Sequence, residues 1–268
     1  MQLSPSQIAA DTYANEAHID VATADSKLRQ RRFFIPGTQF PGTTRQVVRY
    51  VLSSPNAYHE LINGSDYIIY SGATQSSNSA TTPEDVTFHE YGHGLAKRTF
   101  STTGETFDHQ IGALHESFSD IAATNVDVGV RGTPALATWK IAEGFWKVGP
   151  SHLRSLANPA DSHPSASGDW FPWRGMGTGS KWFNSTILSH AYYLSIYGGL
   201  HANSAAEHIP EITVPALAFP PATAEGRAYQ IFMAAFDDDS MHLAPDFMDL
   251  KLAARASALS LFGTAALT

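Results

Sequence analysis

His89-Glu90-Tyr91-Gly92-His93 is the stretch on which the reading of this chain turns. On an α-helix, residues four apart lie one above the other, so His89 and His93 can present imidazole nitrogens to a single Zn²⁺. Glu90 then lies beside the metal, placed to take a proton from a water whose pKa the ion has lowered. Thr82-Pro83-Glu84-Asp85 predicts the start of that helix, with Thr82 as N-cap, Pro83 in the first helical position and two acids in the first turn. Gly92 and Gly94 are poor helix formers. Each costs up to ~1 kcal/mol against Ala, which points to close packing around the metal. Alone, the pentapeptide also fits a polar helix end whose histidines are merely solvated.

The stretch that follows decides between the two. Residues 113–123 predict a second helix, with Leu114, Phe118 and Ile121 as its apolar stripe. Glu116 and Asp120 are four apart and point the same way from this apolar segment. Two carboxylates facing a core are costly unless something positive receives them. Zn²⁺ with two histidine ligands accepts Glu116 as the third, which leaves a fourth position open. Asp120 can accept the remaining ring N–H of a ligand histidine and fix its tautomer. Glu116 follows His93 by 23 residues.

From about residue 47 to residue 263 the chain resembles the thermolysin-like zinc metallopeptidases, the gluzincin group. Ser54-Pro55-Asn56-Ala57-Tyr58 and Tyr67-Ile68-Ile69-Tyr70-Ser71-Gly72 are similar to the family's edge-strand region. Leu153-Arg154-Ser155-Leu156-Ala157-Asn158 is similar to its arginine segment, Trp182-Phe183-Asn184-Ser185 to the start of its next long helix, and Asp246-Phe247-Met248-Asp249-Leu250 to a late helix. The HEYGHGL wording is also similar to fungalysin relatives, while the later segments fit thermolysin better. The resemblance implies an α+β, two-lobed zincin: a β-rich N-terminal lobe over residues 1–98 ending in the zinc helix, and a mainly helical lobe over 99–268. It implies a zinc endopeptidase that takes a peptide or protein substrate. Asn56 and the Ala57 backbone would bind extended substrate, and Arg154 would reach its carbonyl. Val86, Ile141, Phe145 and Leu153 would line a pocket for a bulky apolar side chain just after the scissile bond. An edge strand over residues 47–57 would pair with the substrate through main-chain hydrogen bonds.

The sequence departs from the family at two oxyanion donors. Phe107 stands nine residues before Glu116, where the family places a tyrosine, and Trp182 stands 28 residues after Arg154, where it places a histidine. Losing one such donor costs ~10²–10³ in rate. Trp182 keeps an indole N–H donor, and His109 is a second candidate. The family's double calcium site is also altered. Asp85, Asp127 and Glu143 match its acids, but Thr138 and Lys140 replace two others, and an ammonium there excludes a second Ca²⁺. The reading is therefore one Zn²⁺ and no double calcium site, with Lys140 paired to one of the three acids.

Composition sets the outer bounds. A chain of 268 residues that is 43% hydrophobic can bury a full core. Its net charge of −8 argues against a nucleic-acid surface, and Arg29-Gln30-Arg31-Arg32 reads as a solvated face. Asp237-Asp238-Asp239 reads as a solvated loop or helix cap in preference to a cation site. There is no cysteine and no apolar run of membrane-spanning length, and Met1-Gln2-Leu3-Ser4-Pro5 starts no signal peptide. Secretion is implied by the resemblance, and a monomer is expected. Helices are predicted near 5–30, 112–128, 134–147, 184–197, 223–236 and 246–261, and strands at 46–52 and 67–70. Loops are predicted over 71–82, 148–181 and 199–221. Two other classes of function remain: a zinc-binding pseudopeptidase that serves as a scaffold, and a toxin or assembly domain of a larger chain.

Overall fold

A computed structural model describes residues 4–30, 44–50, 55–81, 83–99, 109–132, 139–149, 151–162, 181–200, 213–242 and 245–264. Its contacts group the chain into two units. One comprises Met1–Arg32, Phe40–Leu95 and Ala122–Leu153; the other comprises Phe33–Gln39, Ala96–Ile121 and Arg154–Thr268.

The first unit opens with α1 (Pro5–Ala10) and α2 (Thr12–Gln30), where the sequence predicts a single helix. Asp11 causes the break. Its backbone is extended (φ −99°, ψ 111°), and its Oδ1 accepts the Ala14 N–H at 3.1 Å, so it ends one helix and caps the next. Ala17, Val21, Ala24 and Leu28 recur at helical spacing and are buried, and α2 packs on β1 (Thr44–Tyr50). β2 (Ala57–Ile62) and β3 (Ser65–Ser71) form a hairpin turned by Asn63 and Gly64, both at positive φ. β3 is the centre of a three-stranded sheet, parallel to β1 and antiparallel to β2. The edge strand that begins with Ala57 is thus β2. The single strand expected over 47–57 is not seen in its described part, because Pro55 and Asn56 are not in a strand and Ala57 begins β2, which runs antiparallel to β3 whereas β1 runs parallel to it.

α3 (Glu84–Thr99) carries the HEYGH pentapeptide, and α4 (His109–Arg131) is the second predicted helix. Each begins in one unit and ends in the other. Pro83 precedes α3 by one residue, and Thr82 lies outside the described residues. Glu84 and Asp85 in the first turn of α3, and Lys97 and Arg98 in its last, complement the helix dipole. Gly92 and Gly94 are both buried, as their cost in helix propensity suggested.

The helix expected over 134–147 is absent from its described part, residues 139–147. Trp139, Ala142 and Gly144 adopt positive φ (58°, 64° and 71°), which no α-helix accommodates, and only β4 (Lys140–Ile141) is regular there. Trp139, Ile141, Ala142 and Phe145 are nevertheless buried, so the apolar pattern reports burial and not helix.

The second unit is largely helical. It holds β5 (Arg154–Ser155), α5 (Lys181–Tyr197), the short strand pair β6 (Gly199–Leu200) and β7 (Thr213–Val214), α6 (Pro221–Phe236) and α7 (Phe247–Phe262). Phe118 of α4 meets Phe236 of α6 edge to face at 5.1 Å, and Tyr192 of α5 meets Phe232 in the same way at 5.3 Å. Gly198 ends α5 at φ 64°, with Ala216 N only 2.8 Å from where a Cβ would sit, so no side chain fits there. Asp246 and Asp249 form a reciprocal capping box at the start of α7, and the strand-poor, helix-rich whole is α+β. No described helix is long and apolar enough to cross a membrane.

Candidate metal centre

α3 presents His89 and His93 one turn apart, with ring centroids 4.6 Å from each other and an interplanar angle of 84°. α4 presents Glu116. One ligand atom from each of these three residues lies within 4.8 Å of the other two, and among the described residues they are the group arranged to hold a metal ion. His89 and Glu116 are buried and His93 is half-buried. Two imidazoles and one carboxylate match the protein donor set of a catalytic zinc site. Glu90, 6% exposed, adjoins His89 on the same helix.

Asp120 and Arg154 form a pair that sequence reasoning did not anticipate. Arg154 donates from Nε to Asp120 Oδ2 at 2.7 Å and from Nη2 to Asp120 Oδ1 at 2.8 Å, a bidentate bond between two buried side chains. Nη2 also lies 3.5 Å from Glu116 Oε2. The sequence assigned Asp120 to a ligand histidine and Arg154 to the substrate. In the structure each is the other's partner, and the one guanidinium of Arg154 meets both Asp120 and Glu116. Lys181, overlooked in the sequence, places its Nζ 3.4 Å from Glu116 Oε1. Its one sequence signal is a cation at the first position of α5, where the helix dipole disfavours it. Trp182 beside it is 47% exposed, with the Lys181 ammonium 4.8 Å over its ring. Phe107 and the side chain of His109 lie outside the described residues. His115, next to Glu116, is buried, and desolvation pushes its imidazole down to about 3, so it stays neutral.

The residues expected to contact substrate fall as follows. Asn56 is exposed, and its backbone is locked to Ser71 by two bonds of 2.9 Å, Asn56 N–H to Ser71 Oγ and Ser71 N–H to Asn56 O. Ala57 opens β2 opposite Tyr70. Asp85 Oδ2 accepts the Ala142 N–H at 2.7 Å, and the Leu153 N–H donates to Ile141 O at 2.8 Å. These bonds bring the chain around Val86, Ile141 and Leu153 together. Ile141 and Phe145 are fully in the core, while Val86 and Leu153 are half-buried.

A cavity of about 380 Å³ opens beside the start of α3, lined by Glu16 and Asp20 of α2, Glu84, Asp85, Asp127, Glu143, Lys140 and Arg131. Asp127, the acid matched to a calcium ligand, accepts from Arg131 Nε at 2.6 Å. Lys140 lines the same cavity, and Thr138 lies outside the described residues. Glu16 and Asp20, which the sequence did not single out, add two acids from α2. Burial, then repulsion from Glu84 and Glu16, raises the Asp20 carboxyl to about 7. Burial raises Asp85 to about 7 as well, against the opposing hydrogen bond from Ala142.

The comparisons with known proteins agree with this geometry. The family model for the thermolysin metallopeptidase alpha-helical domain matches residues 104–267, so the chain belongs to the thermolysin metallopeptidase family. Bacillolysin of Bacillus caldolyticus and thermolysin of Alicyclobacillus acidocaldarius subsp. acidocaldarius are each 31% identical to it over 162 residues. Those matches cover 59% of this chain and only 28% of each relative. The solved structure of the precursor of protealysin, a metalloproteinase from Serratia proteamaculans, matches 99% of this chain and 77% of its own with a TM-score of 0.71. At 20% identity it establishes the fold.

The two raised carboxyls predict a pH dependence of stability. Each folded-state value lies above the unfolded 3.8, so between about pH 4 and 7 the folded chain binds more protons than the unfolded one. The stabilisation is full below the unfolded value and is lost as pH rises through about 7. Thermal unfolding followed by circular dichroism is expected to give a lower Tm at about pH 8 than at about pH 5, with the gap narrowed by Asp20→Asn and by Asp85→Asn. A gap unchanged in both variants would contradict the assignment.

Proposed function

We propose that this protein is a zinc-dependent endopeptidase in which Glu90 is the general base. The observation that carries the reading is the convergence of His89, His93 and Glu116 on one point, with Glu90 beside them on α3. Zinc, when bound by these three, supplies Lewis acidity and lowers the pKa of water toward neutrality. Glu90 would take the proton of the attacking water and pass it to the leaving amine. Arg154, held in place by Asp120, would offer guanidinium N–H groups to the substrate carbonyl and the developing oxyanion. Asn56 and β2, an edge strand among the described residues, would align an extended peptide at Ala57. Val86 and Leu153 at the mouth, with Ile141 and Phe145 behind, would favour a bulky apolar residue after the scissile bond. Trp182 would contribute its indole N–H to the oxyanion.

Phe107 and Trp182 stand where the family keeps hydrogen-bonding donors. They favour a second reading, a zinc-binding pseudopeptidase or assembly domain with weakened catalysis. On either reading we expect a peptide or protein partner, a monomeric chain and, by family resemblance, an extracellular location.

Hydrolysis of casein separates the two. Wild type is expected to be active and chelator-sensitive, and Glu90→Gln to lose about 10²–10⁴-fold in rate at equal zinc content. Equal, chelator-insensitive rates would exclude the peptidase. A double calcium site is not expected, because Lys140 and Arg131 already place cations among Asp85, Asp127 and Glu143. Millimolar calcium should therefore leave Tm within about a degree, whereas a rise of several degrees would restore the double site.

A further inference from the structure

Glu116 is a metal ligand with too many positive neighbours. Its Oε2 lies 3.5 Å from Arg154 Nη2 and its Oε1 lies 3.4 Å from Lys181 Nζ. The Arg154 charge is already engaged by Asp120 through two hydrogen bonds. Both oxygens of the Glu116 carboxylate therefore face a cation, one the guanidinium and the other the ammonium. Lys181 is also held deliberately. It opens α5, where a cation opposes the helix dipole, and its ammonium sits 4.8 Å over the Trp182 ring with its side chain only 22% exposed. The Trp182 ring and the Glu116 carboxylate together fix where that ammonium lies.

We propose that Lys181, clamped by the Trp182 ring, is a positioning residue that competes with zinc for the charge of Glu116. The inference rests on the reading of His89, His93 and Glu116 as the zinc site. A carboxylate shared with an ammonium is a weaker donor, and the ammonium also repels the ion directly. Zinc is then bound less tightly and keeps more of its positive charge for substrate. In this chain the side chain at 182 acts on the metal centre through its neighbour, in addition to any contact with substrate.

Zinc affinity of the full-length protein, measured by competition with a chromophoric chelator, tests this without recourse to activity. Removing one positive charge beside a divalent ion is expected to tighten zinc binding by about tenfold in Lys181→Met and in Lys181→Gln. Lys181→Arg should stay within about twofold of wild type, and Trp182→Leu, which frees the ammonium, should fall between. With Co²⁺ in place of zinc, the visible absorption of Lys181→Met should shift as Glu116 becomes the stronger ligand, and that of Lys181→Arg should not. A lysine that merely braced the fold would give weaker binding and an unmoved spectrum on its loss. Affinity in both neutral variants equal to or weaker than wild type overturns the proposal. Wild type that binds no zinc overturns it together with the peptidase reading. Tighter binding in the neutral variants, with casein hydrolysis indifferent to Glu90→Gln, leaves the proposal standing and removes the peptidase.

Discussion

Two buried carboxylates on one helix face constrain the rest of the molecule. Glu116 is 5% exposed and Asp120 fully buried, on a helix that also buries Leu114, Phe118 and Ile121. Left alone, either would take up a proton or exclude itself from the core. Asp120 is answered by a bidentate guanidinium and Glu116 by a second edge of that guanidinium and an ammonium. Breaking a buried pair by removing one partner typically costs about 3–5 kcal/mol, a large share of a domain's net stability. Arg154 is therefore needed by the fold before it is needed by any substrate. The carboxylate face of α4 is charge-balanced by the arginine that β5 delivers and by Lys181 of α5.

The first unit solves a related problem differently. Around the start of α3, six acids share one cavity with two cations, and the balance is made up in part by protons. Asp20 and Asp85, both raised to about 7, hold those protons near neutrality. The cavity lies at the N-terminal end of the helix that carries His89 and His93, so what settles its charge also settles how firmly that helix is seated. Further along α3, Tyr91 donates its hydroxyl proton to Asp25 of α2, and ahead of α3 Thr81 donates to Glu16, so α2 is tied both to the helix and to the segment that leads into it.

Much of the site could be read from the sequence, because its chemistry depends on local spacing. His89 and His93 need only one helical turn to meet, and Glu116 needs only an inward-facing position on the next helix. The α+β class came from the family resemblance, while the helices expected near 112–128, 184–197, 223–236 and 246–261 match α4, α5, α6 and α7 to within a residue or a few, since long helices that bury one face write their pattern plainly. What escaped depends on long-range contacts or on backbone signs. The Arg154–Asp120 pair joins residues 34 apart, and nothing local distinguishes an arginine that binds a carboxylate from one that binds substrate. Lys181 needed the position of Trp182's ring. Residues 134–147 carry an apolar pattern suited to a helix, but the positive φ angles at Trp139 and Ala142 are a tertiary outcome that no periodicity reports.

The central claim is that His89, His93 and Glu116 together hold one metal ion. Zinc content after dialysis, measured by elemental analysis on wild type and on His89→Ala, His93→Ala and Glu116→Ala, tests it most directly. The account predicts about one zinc per wild-type chain and a loss of most of it in every variant, each still folded by circular dichroism. Full zinc retention in folded Glu116→Ala would contradict it, because the two histidines of α3 would then be holding the ion without the helix that the rest of the site is built around.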